Sequence, residues 1–366
     1  MKNAYYVGVM SGTSLDGIDV VLADFNSPSP SLLHTLYLPY GEELRSRLLG
    51  IHHSGHDELH RAAMLGNELA RHYAGAVVNL LEKNEVESRN VAAIGCHGQT
   101  VRHCPQPDRG YTIQLFNPAL LVELTGITVV ADFRSRDIAA GGQGAPLVPA
   151  FHQVLFNDSQ THRVIVNIGG IANLTSLPYG GDVTGFDCGP GNIMIDAWCL
   201  RHTGKAYDES GLWAGSGNVI PALLEKLRAL HFFSLPPPKS VSREVFSLAW
   251  LEDCLSGQEN PADVQATLLQ LTVSGIAESI FAYFPGAMEI YLCGGGARNE
   301  TLVTRLRTAL PGKKVELTDR LGVDADWLEA FAFAWLAKQA IQGAPGNLPA
   351  VTGARGARLL GAIYPV

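Results

Sequence analysis

The sequence predicts an α/β chain of two alike domains, and three observations predict it. The chain has 366 residues, more than one hydrophobic core usually serves. An order of three meandering strands, helix, strand, helix, strand occurs twice along it. Each copy opens on a strand–turn–strand whose turn is rich in glycine.

In the first copy, residues 5–10 are apolar and rich in aromatic and β-branched side chains, and residues 18–25 form a second such run. A turn cluster at 26–30 precedes a third strand over 32–38. Residues 58–81 carry Leu59, Ala62, Ala63, Leu65, Leu69, Tyr73, Val77 and Leu80 at a spacing of three to four, which predicts a helix. Residues 91–96 read as a buried strand ending at His97, and 126–131 as another ending at Asp132. In the second copy the strands are 163–168, 171–177, 182–186, 289–293 and 314–317, with a long helical region before the fourth. The repeat is one of architecture, not of residues. Small residues at 139–146 mark the junction, so domains are expected at 1–145 and 146–366, with a helix from Pro146 to Phe156. The last ~15 residues are free to pack back on the first domain. Two alike domains facing each other would leave a cleft, and each would offer its first hairpin to it.

Hydrophobic residues make up 46% of the chain and charged ones 17%, a globular composition. The net charge of -8 leaves no basic excess to release counterions, which argues against a nucleic-acid partner. The run at 5–10 is too short for a signal core, and no run reaches the roughly 18 apolar residues that span a bilayer. The six cysteines lie far apart without a C-x-x-C pair and read as reduced thiols. A cytoplasmic chain with neither nucleic-acid nor membrane partner is expected.

The first turn is Ser11, Gly12, Thr13, Ser14, Leu15, Asp16 and Gly17, followed by Ile18 and Asp19. Glycine lets the backbone approach a ligand, hydroxyls donate hydrogen bonds, and an acid can hold a metal. A P-loop runs from strand into helix, but this turn runs into a strand. It is therefore either an ordinary hairpin turn or one folded around phosphate. Gly169 and Gly170 make the matching turn of the second copy, before Asn173. Gly294, Gly295 and Gly296 follow the 289–293 strand and lead to Asn299, where a helix start could cradle a nucleoside or its first phosphate.

Asp187 is expected just past the third strand of the second copy, among glycines. Phosphoryl transfer needs one carboxylate to take the proton of the nucleophile and another to hold Mg²⁺ through water. The bland alternative for Asp187 is an Asx-turn. His97, Gln99 and Arg134 suit a ligand with hydroxyls, an amide and a carboxylate, whereas Arg136 and Asp137 read as loop solvation and local ion pairs. His52, His56 and His60 have a metal-like spacing, but a solvated helix start accounts for them better. Asp324 and Asp326 read as the opening of a helix, where acids favour the dipole; Glu329 lies deeper and is placed to face the cleft.

The string from Gly8 to Asp19, GVMSGTSLDGID, resembles the opening of the anhydro-N-acetylmuramic acid kinases. So do residues 97–100, 132–134, 167–173, 186–192 and 293–299, in the expected order. The resemblance implies the actin and sugar-kinase fold, with two similar ribonuclease-H-like (actin/hexokinase-type) α/β domains around a nucleotide cleft. It implies a reaction in which water opens the 1,6-anhydro ring and O6 takes the γ-phosphate of ATP. The products are N-acetylmuramic acid 6-phosphate and ADP, and the setting is cell-wall recycling.

By the same resemblance Asp187 is the base that activates the water, and Glu329 is a second acid near the sugar. Residues Gly12 to Asp19, with Gly169, Gly170, Asn173, Gly294, Gly295, Gly296 and Asn299, would bind ATP. His97, Gln99, Arg134 and Asn192 would bind the sugar. No direct metal ligand is expected; Mg²⁺ would come with ATP and be held through water near Asp16 and Asp19. A homodimer is expected on the same ground. Two other readings stay open: a kinase of this fold acting on another small hydroxylated substrate, and a non-catalytic ATP-switched module.

Overall fold

The computed structural model describes residues 5–12, 14–27, 29–106, 108–241 and 245–366. The chain divides into two compact units, Met1–Phe151 with Trp327–Val366, and His152–Asp326. The part that returns to the first unit starts at Trp327, well before the short tail that the sequence suggested.

The first unit is built on a sheet of β1 (Tyr5–Ser11), β2 (Gly17–Asp24), β3 (Ser31–Pro39), β4 (Val91–Cys104), β5 (Tyr111–Leu115), β6 (Val129–Ala131) and a C-terminal strand, Ala362–Tyr364. The order is C-terminal strand, β6, β4, β1, β2, β3, with β5 beside β4. β1 pairs antiparallel with β2 and parallel with β4. Side chains alternate across a strand. Val7 and Val9 therefore join Ile18, Val20 and Leu22 in a core with Leu65, Leu69, Tyr73 and Val77 of the Glu58–Lys83 helix. Gly8 faces the other way, toward the Leu328–Ile341 helix. Gly8 and Gly95 are partners across β1 and β4. A β-carbon at either would run into a helix carbonyl, that of Ala330 or of Phe333. The two glycines thus form a flat seat on which this helix lies against the sheet.

The second unit repeats the plan. β7 (Arg163–Ile168), β8 (Ile171–Leu177), β9 (Thr184–Pro190), β10 (Glu289–Cys293) and β11 (Lys314–Leu317) lie in the order β11, β10, β7, β8, β9. That is the order and sense of β6, β4, β1, β2, β3 in the first unit. The Pro261–Tyr283 helix, capped by the Asn260 side chain, packs on β8 and β9, and its Leu268 and Ile276 are buried.

Several elements differ from expectation. β4 continues through His97 to Cys104, because residues 99–104 pair with β5. Polar side chains end an apolar run without ending a backbone ladder. For the same reason β9 contains Asp187 instead of stopping before it. The expected helix at Pro146 begins at Pro149, since proline drives the residue before it out of the α region and suits a first turn. The last long helix begins at Leu328, so Asp324 and Asp326 lie before it, not in its first turn. Among the described residues, no helix is long and apolar enough to cross a membrane.

Candidate active site

The β1–β2 turn is pinned at both ends. Ser11 Oγ lies 2.7 Å from the buried Tyr73 hydroxyl, and Gln99 Nε2 donates to the Gly12 carbonyl at 3.0 Å. Ser11 and Gln99 are partners across β1 and β4, which is why the strand that supplies Gln99 reaches the turn. At the far end, the Asp16 carbonyl accepts from the Tyr37 hydroxyl at 3.0 Å and from the Tyr40 N–H at 2.9 Å. Burial pushes the Tyr40 phenol up to about 12. Asp16 Oδ1 accepts from Ser14 Oγ at 2.7 Å and from the Gly17 N–H at 3.0 Å. Leu15 adopts a φ of 56° and buries its side chain, as Ile18 does, so any ligand contact from these two is through backbone. Among the described residues beyond its chain neighbours, a β-carbon at Gly12 would meet Ser14 alone. Ser14 and Asp16 are exposed, and Asp19 is half-buried opposite Met10. Thr13 lies outside the described residues.

His97 and Arg134 are brought together. Arg134 donates from Nε to His97 Nε2 at 3.0 Å and from Nη1 to the Gly144 carbonyl at 2.7 Å. An accepting Nε2 leaves the imidazole proton on Nδ1. Burial, and then the Arg134 charge, hold the His97 pKa well below its usual value, so the ring is neutral. Its ring centroid lies 4.7 Å from that of Phe333. Gln99 Oε1 is buried with no protein partner among the described residues.

Asp137, read from the sequence as a solvated loop residue, is fully buried. It accepts from the Gly144 N–H at 2.8 Å, Asn347 Nδ2 at 2.6 Å and Thr352 Oγ1 at 2.7 Å. It thereby ties the returning tail to the loop that holds Arg134. Glu329 is half-buried in the first turn of the Leu328–Ile341 helix, next to the Ala330 that seats on Gly8.

In the second unit Asp187 stands directly opposite Asn173 across β8 and β9, so their side chains share a face. Asp187 is 7% exposed. Its N–H donates to the Lys239 carbonyl at 3.0 Å, and its Oδ2 accepts from the Val241 N–H at 2.9 Å. It is a strand residue gripped by a neighbouring segment, not an Asx-turn.

The Gly169–Gly170 turn receives the Asn192 N–H on the Gly169 carbonyl at 2.8 Å, and the Gly191 N–H on the Gly170 carbonyl at 2.9 Å. Asn192 Nδ2 also reaches the Ile168 carbonyl at 3.3 Å. A β-carbon at Gly296 would collide with the Ile168 side chain, and Gly294 takes a φ of 78° while its N–H donates to the Ala325 carbonyl. Gly169, Gly170, Asn192 and the three later glycines therefore converge on the end of β7. Asn299 Oδ1 caps the Glu300–Ala309 helix by accepting from the Leu302 N–H at 2.9 Å. Arg298 pairs with Asp324 at 2.7 Å and Asp326 at 3.0 Å, fastening the glycine turn to the segment before Trp327.

Lys239, Arg298 and Tyr73 were not singled out as site residues from the sequence. Lys239 follows Pro236, Pro237 and Pro238, and nothing in that local pattern marks a site. The histidine run is dispersed: His52 ends the Glu42–Ile51 helix with Nδ1 on the Leu48 carbonyl, and His60 lies in the next helix. Among the described residues, no group of three or more His, Cys, Asp or Glu is arranged to hold a metal ion.

The family model for anhydro-N-acetylmuramic acid kinase matches residues 4–366. The chain belongs to the anhydro-N-acetylmuramic acid kinase family. It is an enzyme, a kinase. It is 71% identical to the anhydro-N-acetylmuramic acid kinase of Nitrosospira multiformis over 365 residues, covering 100% of both chains. It is 65% identical to that of Nitrosomonas europaea over 361 residues, 99% of each chain. It is 51% identical to that of Pseudomonas syringae pv. syringae, again over 99% of each. Among solved structures, component A of (R)-2-hydroxyglutaryl-CoA dehydratase from Acidaminococcus fermentans matches 90% of this chain and 96% of its own, with a TM-score of 0.50 and 12% identity. That likeness concerns fold alone. With the matching strand orders, it makes both units ribonuclease-H-like domains of the actin and hexokinase type.

Proposed function

We propose that this kinase uses ATP to phosphorylate 1,6-anhydro-N-acetylmuramic acid at O6 while water opens its anhydro ring. The setting of Asp187 carries the reading: a nearly buried carboxylate beside Asn173, aimed by the Val241 N–H. Asp187 takes a proton from water as the water oxygen bonds to C1. The C1–O6 bond breaks and its electron pair stays on O6. O6 then bonds to the γ-phosphorus, the bond to the β-phosphate oxygen breaks, and ADP leaves. The products are N-acetylmuramic acid 6-phosphate and ADP, which suits recycling of cell-wall sugar. One base starts both events because the leaving oxygen of the first is the nucleophile of the second.

In this reading the residue 12–16 turn binds the terminal phosphate of ATP through backbone N–H groups, and Gly169, Gly170 and Gly294–Gly296 bind the rest of the nucleotide. His97, held neutral with its proton on Nδ1, donates to the sugar, and Arg134 orients it. Glu329 is the second acid. Asp16 suits Mg²⁺ held through water, being exposed with Oδ1 oriented by Ser14 and Gly17. Mg²⁺ offsets charge on the phosphates when bound.

Asp187→Asn tests this, because it keeps the shape of the side chain and removes the base. Anhydrosugar-dependent ADP release is expected to fall about a hundred- to ten-thousandfold, with ATP affinity retained. Turnover close to that of the unaltered enzyme would remove Asp187 from the mechanism. A panel of anhydrosugars and free sugars tests the substrate, and preference for free N-acetylmuramic acid would contradict the ring-opening step.

A further inference from the structure

Arg134 stands just before the Ser135–Ala139 helix, and Asp137 lies within it. The chain then doubles back over residues 140–144. The Gly142 N–H donates to the Asp137 carbonyl at 2.9 Å, and a β-carbon at Gly142 would collide with Asp137 Oδ2. Gly144 takes a φ of 66°, which glycine adopts without strain. In that turn its N–H donates to Asp137 Oδ2 at 2.8 Å, and its carbonyl accepts from Arg134 Nη1 at 2.7 Å. Arg134 Nε in turn donates to His97 Nε2 at 3.0 Å. Four residues thus form one chain of hydrogen bonds, from a buried carboxylate to a buried imidazole.

The two oxygens of Asp137 have different tasks. Oδ1 accepts from Asn347 Nδ2 and Thr352 Oγ1, which fastens the returning tail. Asn347 is itself held, its Oδ1 taking the Arg358 N–H at 2.7 Å. Oδ2 instead holds the residue that holds Arg134. The effect at the far end is chemical. Guanidinium nitrogens only donate, so His97 Nε2 must accept and the proton sits on Nδ1. His97 Nδ1 is buried with no hydrogen-bond partner among the described residues, which leaves a donor for a ligand. If the guanidinium drifts, the proton is free to move to Nε2 and that donor is lost.

Resting on the reading of His97 and Arg134 as sugar-binding residues, we propose that Asp137 is their positioning residue: through Gly144 it fixes the Arg134 guanidinium, which fixes the tautomer of His97. An acid with only a structural role would tie the tail through Oδ1 and leave the imidazole proton alone.

The test is ¹⁵N NMR of the histidine-labelled full chain, with the His97 signals assigned by their loss in His97→Gln, beside steady-state kinetics. In the unaltered protein the His97 proton is expected on Nδ1; a proton on Nε2 overturns the proposal. Asp137→Ala removes the ties of both oxygens, and Thr352→Val removes one tail tie alone. In Asp137→Ala the His97 nitrogens are expected to shift toward the average of the two tautomers. KM for 1,6-anhydro-N-acetylmuramic acid should rise about tenfold or more, with KM for ATP changed less than about threefold. Thr352→Val is expected to lower the urea midpoint while the tautomer stays and both KM values change less than about threefold. An unmoved tautomer in Asp137→Ala overturns the proposal, as does an equal shift in Thr352→Val. If Asp137→Ala does not fold, as judged by circular dichroism, Asp137→Asn combined with Asn347→Asp decides. There the introduced amide accepts from Gly144 while donating to the introduced carboxylate, so the tautomer should be kept. A folded exchange variant with a shifted tautomer overturns the proposal. A tautomer shift in Asp137→Ala with an unmoved anhydrosugar KM would instead overturn the reading of His97 and Arg134 on which the proposal rests.

Discussion

Gly8 of β1 lies flush against the Ala330 carbonyl of the Leu328–Ile341 helix, leaving no room for a β-carbon. The contact sets the distance from the sheet to the helix that bears Glu329 one residue earlier. Backbone meets backbone here, so a side chain cannot swing away to make space. Gly8→Ala is expected to cost about 1–3 kcal/mol as an overpacked core does. It is also expected to lower kcat more than it raises KM for ATP. Gly75→Ala is the control: it lies within the Glu58–Lys83 helix with nothing among the described residues near its added β-carbon, and should stabilise by about 0.5–1 kcal/mol. Denaturant midpoints and steady-state kinetics on both variants check this. A harmless Gly8→Ala would contradict the seat.

Gln99 was expected at the sugar, yet its amide nitrogen is bonded to the Gly12 carbonyl. Gln99→Leu removes that tie and leaves the Gly12 carbonyl with the Leu15 N–H, at 3.3 Å, as its donor. KM for ATP is expected to rise about tenfold, with a smaller change in KM for the anhydrosugar. The opposite pattern in steady-state kinetics would return Gln99 to the sugar.

Arg298 holds the Gly294–Gly296 turn to Asp324 and Asp326 through partly exposed ion pairs. Such pairs are individually weak and screened by salt. Arg298→Ala is expected to cost at most about 1 kcal/mol of stability but to weaken ATP binding several-fold, because the turn loses its fastening. The weakening should shrink as salt rises, since salt has already loosened the pairs in the unaltered enzyme. Calorimetric titration with ATP at low and high salt reads both effects, and unchanged affinity at low salt would contradict them.

His152 is fully buried, with Nδ1 2.8 Å from Thr175 Oγ1, and burial lowers its pKa from 6.5 to about 3. The unfolded chain takes up a proton near 6.5 that the folded one refuses. Stability is therefore whole above that value and is lost as pH falls toward 3. One such group costs about 1.4 kcal/mol per pH unit, so roughly 2 kcal/mol is expected between about pH 6.5 and pH 5. His97, also held low by burial, adds in the same direction. Urea unfolding of the unaltered protein and of His152→Phe at both pH values checks the sign. An equal acid loss in the two would contradict it.

Much of this arrangement was legible in the residues. The apolar, β-branched runs at 5–10 and 18–25 mark the first two strands, and the order of elements that occurs twice along the chain follows from such short runs. What escaped depends on partners distant in sequence. β5 was missed because its side chains are mixed and its ladder is made with residues 99–104 of β4. Asp137 looks like any loop acid until Asn347 and Thr352, more than two hundred residues on, come to bond it. The burial of Lys239 likewise depends on Phe232 and Phe186 folding over its stem, which no local pattern announces.

The central claim is that water attacks C1 and O6 receives the phosphoryl group. Turnover in H₂¹⁸O with prompt mass analysis of the product tests it most directly, alongside unlabelled product incubated in the same water to measure exchange. One ¹⁸O at C1 beyond that background, and none in the phosphate, is the predicted result. Label in the phosphate, or none in the sugar, would contradict it.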